Sequence, residues 1–285
     1  MGTRDSRRDA KVVLRGRVRN MQRSLDERLD RLDRTVDPTT VHEVRIAARR
    51  LRIVVRAFKK AFSAPKVGAY LKGLSGLSHD LDRARDAEIA YRTLVALAAA
   101  HGGRLRAQSA PLVELAVEEK ARAAEDLGAA IRAQRWKARR SALRLIAGDP
   151  AVLVASEPIG PLTERVMRRS RRRLGRALRR AGSGTDELHK LRLKVKALRY
   201  LAEEFPPGRG DPPHDELGHL HGLQDCLGAL HDAWHLKRTL KALDRFRRPV
   251  RALCTLLDER RKALLKEFRM RRKNLVRVWR SADPE

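Results

Sequence analysis

The stretch VHEVRIAARRLRIVVRAF, Val41 to Phe58, returns 147 positions later as LHKLRLKVKALRYLAEEF, Leu188 to Phe205. In this register His42 falls on His189, Arg45 on Arg192, Arg49 on Lys196, Arg52 on Arg199 and Phe58 on Phe205. Each copy carries an apolar stripe at the three-then-four spacing of a helical seam: Val41, Val44, Ala48, Leu51, Val55 and Phe58, answered by Leu188, Leu191, Val195, Leu198, Ala202 and Phe205. One residue beyond each seam member of the first copy stand His42, Arg45, Arg49, Arg52 and Arg56. At 100° per residue they fill an arc of about 80° and run roughly 20 Å along the axis, a cationic rail bordering a core. The second rail keeps His189, Arg192, Lys196 and Arg199, then turns acidic at Glu203.

A second match extends the first. Gly76 to Leu94 aligns with Gly222 to Leu240 at an offset of 146, placing Leu81 on Leu227 and Asp86 on Asp232. Agreement on both sides of an intervening loop argues for an internal duplication. The first half reads as four amphipathic segments, Lys11 to Leu32, Thr40 to Phe62, Lys66 to Ala100 and Gln108 to Ile146. Thr40 with Glu43 fits a capping box that puts His42 in the first turn, and Pro65 is expected to close the second helix. Ala151 to Pro161 reads as a linker, and four more helices follow: Leu162 to Ala181, Thr185 to Phe205, His214 to Leu243 and Val250 to Trp279. The expected fold is all-α: two pseudo-symmetric four-helix bundles, 1–150 and 151–285, as halves of one domain. If the histidine helices face one another, their rails line a shared basic groove.

Lys+Arg 65 against Asp+Glu 35 leaves a net charge of +30, which points to a polyanionic partner. Aromatic residues make up only 4%, thin material for stacking single-stranded bases. No run of about 18 apolar residues and no signal peptide is visible, so the sequence predicts a cytoplasmic protein without membrane association. Cys226 and Cys254 have no CxxC companion and read as small buried hydrophobes.

VHEVRIAARRLRIVVRAF, ELHKLRLKVKALRYLAEEF, RARDAEI and LQDCLGALHD together resemble the CHAD family, the conserved histidine α-helical domain. The resemblance implies two pseudo-symmetric four-helix bundles that bind inorganic polyphosphate. It favours the contacts that the rails suggest: His42, Arg45, Arg49, Arg52, His189, Arg192, Lys196 and Arg199, with Arg56, Lys194 and Arg83 secondary. Arginine suits that ligand because a guanidinium forks onto phosphate oxygens and keeps its charge. Both histidines are expected to be neutral when free and to charge when a polyanion binds, so that affinity rises as pH falls from about 7.5 to 6.

The expected function is non-catalytic polyphosphate binding at cytoplasmic polyphosphate granules, with polyphosphate-metabolising enzymes as further partners and no cofactor. Nucleic-acid binding is the second reading, since a chain of this charge holds DNA at low salt. A metal-dependent phosphohydrolase is the third. His231 and His235 stand four apart, a spacing that zinc sites use, but their counterparts Arg85 and Ile89 cannot ligate, and no metal site is assigned. Asp86 and Asp232 are expected to pair with arginines and steady the rails. The run Arg165 to Arg180 is expected to add to the general basic surface.

Overall fold

The computed structural model describes residues 9–101, 103–149, 152–154, 157–206, 216–243 and 246–282. Among them the chain forms ten α-helices. They are α1 (Ala10–Arg34), α2 (Pro38–Ala57), α3 (Ala64–Asp80), α4 (Asp82–His101), α5 (Gly103–Arg132), α6 (Gln134–Gly148), α7 (Ile159–Arg180), α8 (Thr185–Glu204), α9 (Glu216–Lys241) and α10 (Arg247–Ala282). A 3-10 turn, Lys59–Ala61, follows α2. No described helix is long and apolar enough to cross a membrane.

Two compact units result. One comprises Met1–Glu88 with Glu119–Val166, the other Ile89–Glu118 with Met167–Glu285. In the first, α1 packs on α2, α2 on α3, α3 on α6 and α6 back on α1, closing a four-helix ring. In the second, α9 packs against both α8 and α10. The units do not coincide with the halves defined by the repeat, because the far ends of α4 and α5 belong to the second unit. Leu94 and Leu97 of α4 and Leu112 of α5 share one leucine core with Leu236 and Leu240 of α9 and Leu253 and Leu257 of α10.

Every member of both apolar seams is buried, from Val41 to Phe58 on α2 and from Leu188 to Phe205 across α8 and its cap. The seams therefore fix which face of each histidine helix meets the core.

Several helix ends differ from expectation. Asp37, not Thr40, caps α2: its Oδ1 accepts the N–H groups of Thr39 at 2.9 Å and Thr40 at 3.0 Å, and its other oxygen accepts the Thr40 hydroxyl. Pro38 then occupies a first position that needs no N–H donor. Glu43 is left to accept from Arg31 on α1 at 2.6 Å. His42 thus becomes the fifth residue of α2, as His189 is the fifth of α8, so both lie beyond the first turn. Pro65 opens α3 instead of closing α2, which ends at Ala57.

The segment Lys66 to Ala100 breaks at Leu81. Arg45 Nη1 donates to the Ser78 carbonyl at 3.1 Å, the oxygen that a continuous helix would give to Asp82. The segment Gln108 to Ile146 starts earlier, at Gly103, and breaks at Ala133, whose backbone is extended (φ −69°, ψ 145°). Beyond the break Trp136 is buried with its indole N–H on Asp33 at 3.3 Å, and Arg140 pairs with Asp30 and Asp33. Docking α6 on α1 redirects the chain.

The described part of the linker is packed. Val152 and Leu153 are buried, the Val152 carbonyl accepts Ser63 N–H, and Val154 N–H donates to Ala61, both at 2.8 Å. Cys226 is buried, and burial raises its thiol to about 11, consistent with an inert packing role.

Removing the Asp37 cap leaves backbone donors of α2 without their acceptor. Asp37→Ala is expected to cost about 1 kcal/mol. Thermal unfolding followed by circular dichroism should show a midpoint about 2–4 °C lower.

Candidate functional site

On α2 the rail is not a solvated face. Arg45 is 7% exposed, its guanidinium paired with Asp82 and hydrogen-bonded to the Ser78 carbonyl. Arg49 and Arg52 are half-buried, while His42 and Arg56 are exposed. Arg52 donates to Ser75 Oγ at 3.2 Å. Burial first, and then the neighbouring Arg56, hold its guanidinium below the ordinary arginine value; Arg45 adds to this and Asp82 opposes it. Arg52 thus lies in the field of two further arginines, Arg45 and Arg56, and of the Asp82 carboxylate.

On α8 the same edge is buried further, with Arg192, Lys196 and Arg199 each 8% exposed. Arg199 donates to Gln224 at 2.8 Å and to Glu203, whose Oε1 also lies 3.1 Å from His221 Nε2. The pairing of Arg52 with Ser75 and the approach of Arg199 to His221 at 3.3 Å occupy matching positions of the two registers.

So do two glycines. A Cβ on Gly76 would lie 2.9 Å from the Arg139 guanidinium, and one on Gly222 would lie 2.2 Å from that of Arg271. In each unit glycine lets an arginine of the fourth bundle helix cross the third.

His189 turns an exposed edge to solvent while its ring packs at a tilt against His231, with centroids 5.3 Å apart. His231 in turn stacks on His235 at 6.4 Å. Burial is the main cause that pulls the His189 imidazole below the usual histidine range, followed by His231 and Arg192; Lys196 also lowers it and Asp186 opposes. Among the described residues no group of three or more His, Cys, Asp or Glu side chains is arranged to hold a metal ion.

Within each histidine helix the rail positions lie along one edge, and two secondary positions stand off it. Lys194 stands two residues from both Arg192 and Lys196, about 200° round the helix, and is exposed on the opposite side. Arg83 lies on α4 and is ion-paired with Glu119 and Asp126 of α5. Asp86 pairs with the adjacent Arg85, and Asp232 lies beside the adjacent His231; the carboxylate that grips the α2 rail is Asp82, one turn earlier.

The sequence matches the CHAD domain over residues 12–241. The chain belongs to the CHAD family. Its fold is similar to that of a plant CHAD domain from Ricinus communis, with a TM-score of 0.71 at 20% identity, covering 98% of this chain and 92% of that one. It is also similar to PptA from Streptomyces chartreusis, with a TM-score of 0.76 at 15% identity, covering 95% of this chain and 100% of that one. No curated protein matches the chain.

Several residues that shape these CHAD faces were not singled out by the sequence reading: Asp82, Ser75, Ser78 and Gln224. The signal for the last two lay in the second match, which sets Ser78 opposite Gln224. Polar residues at corresponding places on helices that flank the rails mark rail partners.

Because the folded state binds the His189 proton less readily than the unfolded chain, stability falls as pH drops below about 6.5, histidine's ordinary value. His189→Gln removes this loss. Urea melts between pH 7.5 and 5.5 should show a smaller decline for the variant than for the parent chain.

Proposed function

We propose that this CHAD protein binds inorganic polyphosphate non-catalytically along the cationic edges of α2 and α8. The observation that carries the reading is the crowding of Arg45 and Arg56 around the half-buried Arg52, beside the Asp82 carboxylate and at the border of a buried seam. Like charges held together at a partly desolvated edge raise the local positive potential, and a ligand with one negative charge per unit relieves it. The spacing also suits a repeating anion, since cations three or four residues apart on a helix lie about 5 to 6 Å from one another.

The contacts divide by accessibility. His42, Arg49, Arg52 and Arg56 on α2 and His189 on α8 present exposed or half-buried atoms. Arg45, Arg192, Lys196 and Arg199 offer only an edge, so they hold the field more than they grip the chain. Lys194 and Arg83 fall outside the set. His189, kept low by burial and by His231, Arg192 and Lys196, becomes a charged donor when an anion arrives. Proton uptake then accompanies binding, and affinity rises as pH falls through the window below about 6.5.

Granule association, a cytoplasmic location and partnership with polyphosphate-metabolising enzymes follow from this reading. They are tested by imaging a tagged chain in cells with and without polyphosphate.

Calorimetric titration with long-chain polyphosphate at roughly 150 mM salt tests the reading. Arg49→Ala/Arg52→Ala is expected to weaken binding about tenfold or more, equivalent to about 1.4 kcal/mol. Absence of binding by the parent chain, or release of phosphate on incubation with Mg²⁺ or Mn²⁺, would overturn it. Glu203 already occupies Arg199 as an internal carboxylate. Glu203→Gln should therefore tighten polyphosphate binding about threefold and steepen its salt dependence.

A further inference from the structure

A dense run of positive charge outside the rails lies on the second-unit part of α7. Arg168, Arg172 and Arg179 fall within about 40° of one another around the helix, and Arg169, Arg173 and Arg180 within another 40°, the two borders centred about 100° apart. Arg176 stands between them. All seven side chains are exposed, and the face they form rises about 18 Å along the axis.

The opposite side of the helix is committed to the core through Met167, Leu174 and Leu178, and Arg171 on its flank is taken by Glu216. None of the seven meets a carboxylate among the described residues, whereas arginines elsewhere, such as Arg83, Arg140 and Arg144, are paired with acids. A solvated helical face ordinarily mixes signs, because like charges three and four residues apart repel. Here α10 adds further cations: Arg272 donates to the Ala181 carbonyl at 2.9 Å and Arg261 to that of Ser183 at 2.6 Å, both just beyond the helix end.

The width of this face selects the class of polyanion. With side chains reaching roughly 8 Å from the helix axis, borders about 100° apart stand roughly 12 Å from one another, close to the width of a duplex major groove. One border can face each phosphate backbone while Arg176 lies over the groove. A single linear polyphosphate needs only one such border. A membrane-surface helix needs an apolar face to bury in lipid, and the apolar face of α7 is already inside the protein. All seven side chains are arginine, which forks onto phosphate oxygens, and six of them stand at the borders rather than over the groove, so the contact is mainly with phosphate.

We propose that the outer face of α7 docks the two sugar-phosphate backbones of duplex nucleic acid, independently of sequence and of the rails on α2 and α8. Fluorescence anisotropy of the full chain with a labelled 20-base-pair duplex of arbitrary sequence, between about 50 and 200 mM salt, measures both affinity and the number of phosphate contacts. Arg168→Gln/Arg172→Gln/Arg173→Gln/Arg176→Gln is expected to lower the slope of log affinity against log salt by about 3 to 4 and to weaken duplex binding more than tenfold. Its polyphosphate affinity and thermal midpoint should stay close to those of the parent. Arg49→Ala/Arg52→Ala should keep duplex binding.

The proposal is overturned by an unchanged slope in the quadruple variant, or by failure of the parent chain to bind the duplex. Loss of polyphosphate binding together with duplex binding would also overturn it, since the face would then belong to the polyphosphate surface. So would preference for phosphatidylserine/phosphatidylcholine vesicles over the duplex at equal accessible phosphate.

Discussion

A guanidinium withdrawn from water must be given acceptors, and that requirement shapes this chain more than any other. On α2 and α8 the apolar seam and the cationic edge are one residue apart, so burying the seam draws the first arginines down with it. Arg45 obtains Asp82 and the Ser78 carbonyl, and the second of these ends α3 where the periodicity would have carried it on. Arg199 obtains Gln224 and Glu203. Desolvating the charge without these partners would cost several kcal/mol. The helix break at Leu81 and the placement of Asp82 are thus consequences of where the rail stands relative to the core.

The faces were legible in the sequence; the distances were not. Periodicity names the side of a helix that meets the core, and all twelve seam residues are buried as that rule requires. It does not say how closely the neighbouring helix approaches the border, which is why Arg192, Lys196 and Arg199 proved nearly as buried as the seam beside them. Competing caps are equally hard to rank from sequence, since Asp37 and Thr40 both have the right chemistry and only geometry shows Thr40 donating to Asp37. The bend at Ala133 has no glycine or proline to announce it. It follows from the docking of Trp136 and Arg140 on α1, a tertiary demand that local propensity does not record.

The two registers agree in their packing and differ in their titratable groups. Gly76 and Gly222 make room for arginines in the same way, and in both histidine helices the histidine is the fifth residue. Yet Arg56 has Glu203 as its counterpart, Ser75 has His221, and Arg85 has His231. At the first and last of these places the first unit carries permanent charge, and at all three the second carries a group that gains or loses a proton. The faces of the two units therefore need not respond alike to acidity or to salt.

Helices α4 and α5 each begin in one unit and end in the other. A gene cut at the boundary of the repeat, between positions 150 and 151, would separate Leu94, Leu97 and Leu112 from the leucines of α9 and α10 that cover them. The first fragment would keep its four-helix ring but bare the leucines of α4 and α5, and the second would lose one wall of its core. Whatever the ancestry of the halves, each has handed part of its core to the other's keeping, so recombination can exchange the domain as a whole but not by halves.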